Sequence, residues 1–131
     1  MAGTPAFLGT LRTAVVDVST ANSNRDGTGT IATVITGVAA GTRVLRVTAI
    51  ATADPADSIL NLFLHDGTTA HFFEDFDLGN PAAASTTAPV WTASRRYPNL
   101  YLPSASWSLR AAVTVALTAG TLKVFAFGGD L

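Results

Sequence analysis

Apolar and polar residues alternate along most of this chain with the period of two that a half-buried strand requires. No stretch of a dozen residues carries a helical period with caps. The alternation predicts eight extended segments, at residues 8–19, 30–38, 42–52, 58–65, 69–78, 99–102, 106–117 and 121–127. In the third, Leu45, Val47 and Ala49 fall on one face; in the fourth, Leu60, Leu62 and Leu64 do. Trp107, Leu109, Ala111, Val113 and Val115 alternate in the seventh. Threonine and valine are abundant, and β-branched side chains suit a pleated surface.

Turn residues separate these segments. Asn22, Ser23, Asn24, Asp26 and Gly27 mark the first break, Ala39-Ala40-Gly41 the second and Asp54-Pro55 the third. Asp66-Gly67 predicts a tight hairpin, because glycine takes positive φ without steric cost. Residues 79–94 read as a loop rich in Ala, Ser and Thr, and Pro98 and Pro103 bracket the short sixth segment. The spacing predicts an all-β fold, an antiparallel β-sandwich of about eight strands that is jelly-roll-like. Residues 1–7 read as an extended N-terminal arm containing Pro5 and Phe7, and residues 8–131 as one sandwich domain.

Composition narrows the functional classes. The chain has 131 residues, enough for one hydrophobic core without covalent staples. Charged residues are only 13%, about half the usual share, so little material exists to solvate the surface. That predicts extensive contact with other protein. Net charge is -1, with one lysine and scattered arginines, which argues against a nucleic-acid or anionic-membrane binder. No cysteine is present, so disulfides and thiolate metal sites are excluded. No basic-then-apolar leader follows Met1, and no apolar run is long enough to cross a bilayer as a helix. The expectation is a chain made in the cytoplasm.

Candidate chemistry is sparse. His65 and His71 flank the Asp66-Gly67 turn and would face each other across a hairpin, with Glu74, Asp75 and Asp77 following. Such a set can ligate zinc or iron, but the signature spacing is missing and a solvated hairpin face accounts for it better. Asp54, Asp57, Asp66, Asp75 and Asp77 offer oxygen atoms without the pattern of a calcium loop. Serines abound, yet no Gly-x-Ser-x-Gly elbow occurs. Gly27-Thr28-Gly29 and Gly128-Gly129 do not stand between a strand and a helix, so neither makes a phosphate cradle. The expectation is a protein that is not an enzyme, with no cofactor and no metal.

Aromatic and cationic residues cluster differently. Phe72, Phe73 and Phe76 occupy both faces of the fifth segment, which predicts a central strand or an interface. Trp91 is followed by Arg95, Arg96 and Tyr97, and Trp, Tyr and Arg are the residues enriched at interface hot spots. Packing on the chain's own core and a carbohydrate platform are the competing readings for Trp91. The candidate interface residues are therefore Pro5, Phe7, Trp91, Arg95, Arg96 and Tyr97.

Four stretches carry a family likeness: Leu62-Phe63-Leu64-His65-Asp66-Gly67-Thr68, Leu100-Tyr101-Leu102-Pro103, Trp107-Ser108-Leu109-Arg110-Ala111 and Ala126-Phe127-Gly128-Gly129-Asp130-Leu131. Together they resemble a family of small tailed-bacteriophage and prophage proteins. The family form has a glycine just before the tryptophan, where this chain has Ser106. The resemblance implies a virion structural component, with capsid decoration (a cement protein) as its job. It implies a location on the capsid surface after assembly in the bacterial cytoplasm. The implied partners are the major capsid protein and copies of the chain itself in a homotrimer, with no nucleic acid and no membrane. The alternative is a tail- or fibre-associated virion module that binds a receptor or carbohydrate.

Overall fold

The computed structural model describes residues 9–52, 58–79, 87, 89–116 and 121–131. These form eight strands: β1 Thr10–Val18, β2 Ala32–Thr36, β3 Thr42–Ala51, β4 Ser58–His65, β5 Ala70–Gly79, β6 Thr92–Leu102, β7 Ser108–Val113 and β8 Leu122–Asp130. They build two antiparallel four-stranded sheets, ordered β1-β8-β3-β6 and β2-β7-β4-β5. The pairing is nested: β1 with β8, β2 with β7, β3 with β6 and β4 with β5. The chain is thus one long antiparallel ribbon folded over on itself. The protein is an all-β sandwich. The predicted arm, with Pro5 and Phe7, lies outside the described residues, as do Asp54 and Asp57.

The inner faces supply the core. Val44, Val47, Ala49, Leu102, Leu122 and Val124 from one sheet meet Leu60, Leu62, Leu109, Ala111 and Val113 from the other, all fully buried. Each such aliphatic side chain of Val or Leu size stabilises the fold by about 1.5–3 kcal/mol. Leu60, Leu62 and Leu64 do share the inward face, as their spacing predicts.

Elsewhere the alternation breaks at bulges, each of which puts two residues opposite one. Val44 pairs with Gly128 and Arg46 with Phe127, so β3 has one extra residue, Leu45. Leu45 is therefore turned outward and exposed, while Val47 and Ala49 stay inside. This corrects the expected shared face of the three. On β5, Leu62 pairs with Glu74 and Phe63 with Phe72, leaving Phe73 as the extra residue. Phe73 and Phe76 turn toward the core, and Phe72 lies outside against Phe63, edge-on at 6.0 Å. So β5 is an edge strand, not a central one, and the bulge explains why Phe73 and Phe76, three residues apart, share the inner face. Val115 is exposed beyond the end of β7 and does not continue its alternation.

The sixth strand is much longer than expected. It runs from Thr92 through Pro98 to Leu102, and so takes in residues assigned from sequence to the loop. Proline lacks the N–H that a ladder needs, and β6 tolerates it because it is an edge strand. At Ser106, where the family form has glycine, Trp107 N donates to Ser104 O at 3.2 Å and the Ser104 and Ser106 hydroxyls bond at 2.8 Å. The turn before the tryptophan is closed without glycine.

One outer face is covered. Residues between β1 and β2 fold back over the β2-β7-β4-β5 sheet, with Asn22 N donating to Val113 O at 2.7 Å. Buried Asn22 holds this segment by donating to Thr28 O and Thr30 O and accepting from Asn24 N. Beneath it, Phe63, Ala70 and Ala112 form a second small core with Ile31. Asn61, on the same outward side of β4, is 0% exposed, and neither its Oδ1 nor its Nδ2 has a protein partner. Burying amide groups without partners costs stability. Replacing Asn61 by leucine, close in volume, should therefore raise the unfolding free energy by about 1–3 kcal/mol in urea titrations. A loss of stability would show that the amide is satisfied.

Candidate functional site: the open sheet face

The β1-β8-β3-β6 sheet has no comparable cover among the described residues. Its strand registers set outward side chains in four rows. Leu11, Gly129, Arg43 and Tyr101 form the first, and Thr13, Phe127, Arg46 and Arg96 the second. Val15, Phe125, Thr48 and Ser94 form the third, and Asp17, Lys123, Ile50 and Thr92 the fourth. Leu11 is 80% exposed and Val15 52%. Phe125 and Phe127 stack at 6.0 Å with their planes 7° apart. One half of the face is thus aliphatic and aromatic. Its single carboxylate, Asp17, is bonded to Lys123 at 2.8 Å in the far row.

The other half is cationic. Arg43, Leu45, Arg46, Arg96, Pro98 and Phe127 line a groove of about 540 Å³, with Tyr97 alongside. The β3 bulge makes it, since turning Leu45 outward brings Arg43, Leu45 and Arg46 onto one side. Arg46 lies over the Phe127 ring at 4.8 Å, and Arg43 donates to Pro98 O at 2.6 Å. Gly128 lets β8 approach closely enough, because a Cβ there would run into the Arg43 carbonyl.

Counterions set this groove apart. Among the described residues, Arg12 pairs with Asp130, Arg25 with Asp75, Arg95 with Glu74 and Lys123 with Asp17. Of the eight cations in the chain, that leaves Arg43, Arg46, Arg96 and Arg110 without a carboxylate partner among the described residues, and the first three line the groove. Arg46 and Arg96 are direct cross-strand partners. Like charges placed so are destabilising.

The sequence-predicted residues separate in the structure. Trp91 and Tyr97 are half-buried and pack against the chain's own core, Tyr97 edge-on to Phe73. Burial, and then the nearby Glu74 charge, push the Tyr97 hydroxyl up to about 12. Arg95 faces inward at the sandwich edge, where it pairs with Glu74 of β5 and lies over Phe76. It fastens the β6 edge to the β5 edge. Of the four, Arg96 brings its charge to the groove, and Tyr97 borders it while packing on the core. Sequence reading missed Arg43, Arg46 and Phe127, since nothing in their spacing links residues from different strands.

His65 and His71 do not face each other. His65 pairs with Ala70 and Leu64 with His71, so the two rings leave opposite faces of the hairpin. Each serves the turn: His65 Nδ1 accepts from Gly67 N, and His71 Nε2 bonds to Asp66 Oδ2 at 3.0 Å. Asp66 also accepts from Thr68 N and Thr69 N, and these bonds hold its carboxyl well below its ordinary range. Among the described residues no group of three His, Cys, Asp or Glu is placed to hold a metal. A second, polar cleft of about 290 Å³ includes Asp26, His65 and Arg110. Asp26 Oδ1 accepts from the Thr28 hydroxyl, His65 Nδ1 accepts from Gly67 N, and Arg110 Nε donates to Ser108 Oγ.

No protein-family model matches this sequence, and no curated protein matches it. The open face therefore has to be read on its own chemistry.

Two outcomes test this description. Arg96→Glu replaces a like-charge pair by an opposite one, so it should raise stability by about 0.2–1 kcal/mol, seen as a higher urea midpoint. A lower midpoint would mean that Arg96 already has a partner. Tyr97 carries a raised folded pKa, so its contribution is full below its ordinary value of 10.0 and is lost as pH rises toward about 12. Alkaline denaturation across that window should be shallower in Tyr97→Phe, while a curve identical to wild type would place the hydroxyl in solvent.

Proposed function

We propose that this protein is a structural docking module, a capsid decoration protein that seats on assembled virion shells and stabilises contacts between major capsid subunits. The observation that carries the reading is the asymmetry of the two outer faces. One is covered by the chain's own segment, and the other presents Leu11, Val15, Phe125, Phe127 and Leu45 beside a cationic groove. An exposed face of that kind marks a site of protein contact. The low charge content and the likeness of four sequence stretches to small phage proteins support the same conclusion. The nested strand pairing supports the finer reading of the sandwich as a jelly roll, a fold common in capsid shells.

The mechanism is thermodynamic. A protein that binds the mature shell and not its precursor stabilises the mature state by mass action, without any chemical step. Self-association into a trimer multiplies the contacts each unit makes, which strengthens attachment through effective concentration. Small Ala, Ser and Thr side chains lose little rotamer entropy on close approach.

Quantitative gel analysis of purified particles of the encoding phage tests this reading. The expected band is comparable in stoichiometry to the major capsid protein. A few copies per particle would move the chain to the tail, and no copies would overturn the proposal.

A further inference from the structure

The geometry points to the Arg43–Arg46–Arg96 groove as a docking site for an acidic polypeptide segment, one that brings at least two carboxylates and an apolar side chain between them. This rests on the docking reading above and names the chemistry of the partner. Three guanidinium groups line one groove with no carboxylate among the lining residues. Two of them are held directly opposite each other across β3 and β6. A folded chain whose other surface cations mostly find carboxylates keeps this pair unneutralised at a cost in stability. That cost is offset when an anionic partner binds.

The remaining donors fit carboxylates. Arg46 lies over the Phe127 ring, and among the described residues none of its guanidinium N–H groups makes a hydrogen bond. Arg43 spends one terminal nitrogen on Pro98 O and keeps the rest of its fork. Guanidinium forks bind carboxylates in pairs of parallel hydrogen bonds. Leu45, Pro98 and Phe127 supply apolar surface between the cations, which favours a peptide over a bare inorganic anion. A single-stranded nucleic acid fits less well. Base stacking needs an open ring face, and Phe127 is engaged by both Phe125 and Arg46.

The test is amide NMR titration of the whole protein with capped hexaglutamate at low salt, with inorganic phosphate and oligothymidylate as parallel probes. Hexaglutamate should shift the amides of Arg43, Arg46, Arg96 and Phe127, and added salt should weaken it. Arg96→Glu should weaken binding by about tenfold or more while melting no lower than wild type, which separates lost recognition from lost folding. Arg46→Gln should weaken it too, with Arg110→Gln, outside the groove, unchanged. Absence of shifts at the groove overturns the inference, as does phosphate binding equal to hexaglutamate or tighter binding of oligothymidylate. The two readings fail separately. Abundant protein on particles with no groove binding sinks the carboxylate site alone, and groove binding with no protein on particles sinks the shell role alone.

Discussion

Between the pairs Val44–Gly128 and Arg46–Phe127, strand β3 carries one residue more than its neighbour β8. That single mismatch organises both sides of the sheet. Inward, it lets Val44 and Val47 both reach the core although they are three apart. Outward, it sets Leu45 and Arg46 side by side, where regular alternation would bury one of them. Gly128 is the local condition, since any side chain there would meet the Arg43 carbonyl and part the two central strands. The β8 strand lies between β1 and β3, so widening that seam would disturb the whole sheet.

The two long edges of the sandwich are closed by different means. On one side β1 lies against β2, and Arg12 reaches from β1 to Thr36 O and Asp130, with Thr42 Oγ1 donating to the same carboxylate at 2.8 Å. On the other side Arg95 links β6 to Glu74 of β5. The Arg95 guanidinium also lies over the Phe76 ring. Two of the four arginine and lysine ion pairs among the described residues stand at these seams. The unpaired cations of the open face stand apart from these pairs, and the proposed docking role rests on them together with the exposed aliphatic row of β1.

Residues of the family-like stretches have separable physical roles. Asp66 and Gly67 close the β4–β5 turn through three hydrogen bonds to Asp66 and the positive φ of Gly67. Leu100 and Leu102 enter the core from β6. Ser108, buried, accepts from Arg110, and Leu109 fills the space between the sheets. In the closing stretch, Phe127 faces out, Gly128 permits the close approach and Asp130 anchors Arg12 and Thr42. These stretches mainly build the sandwich, and only Phe127 reaches the groove.

By itself the sequence determined the all-β class, the count of strands and the inward set Leu60, Leu62, Leu64, Leu109, Ala111 and Val113, because regular alternation is a local property of consecutive residues. It also determined the Asp66-Gly67 hairpin, which needs only the conformational freedom of two adjacent positions. Tertiary structure alone decided the bulges at Leu45 and Phe73, the length of β6 through Pro98, and the edge position of β5. It also parted Arg95 from Arg96 and brought Arg43, Arg46, Arg96 and Phe127 into one groove. Each of these depends on which strand lies beside which, and register between strands distant in the chain is set by the packing of the whole sandwich.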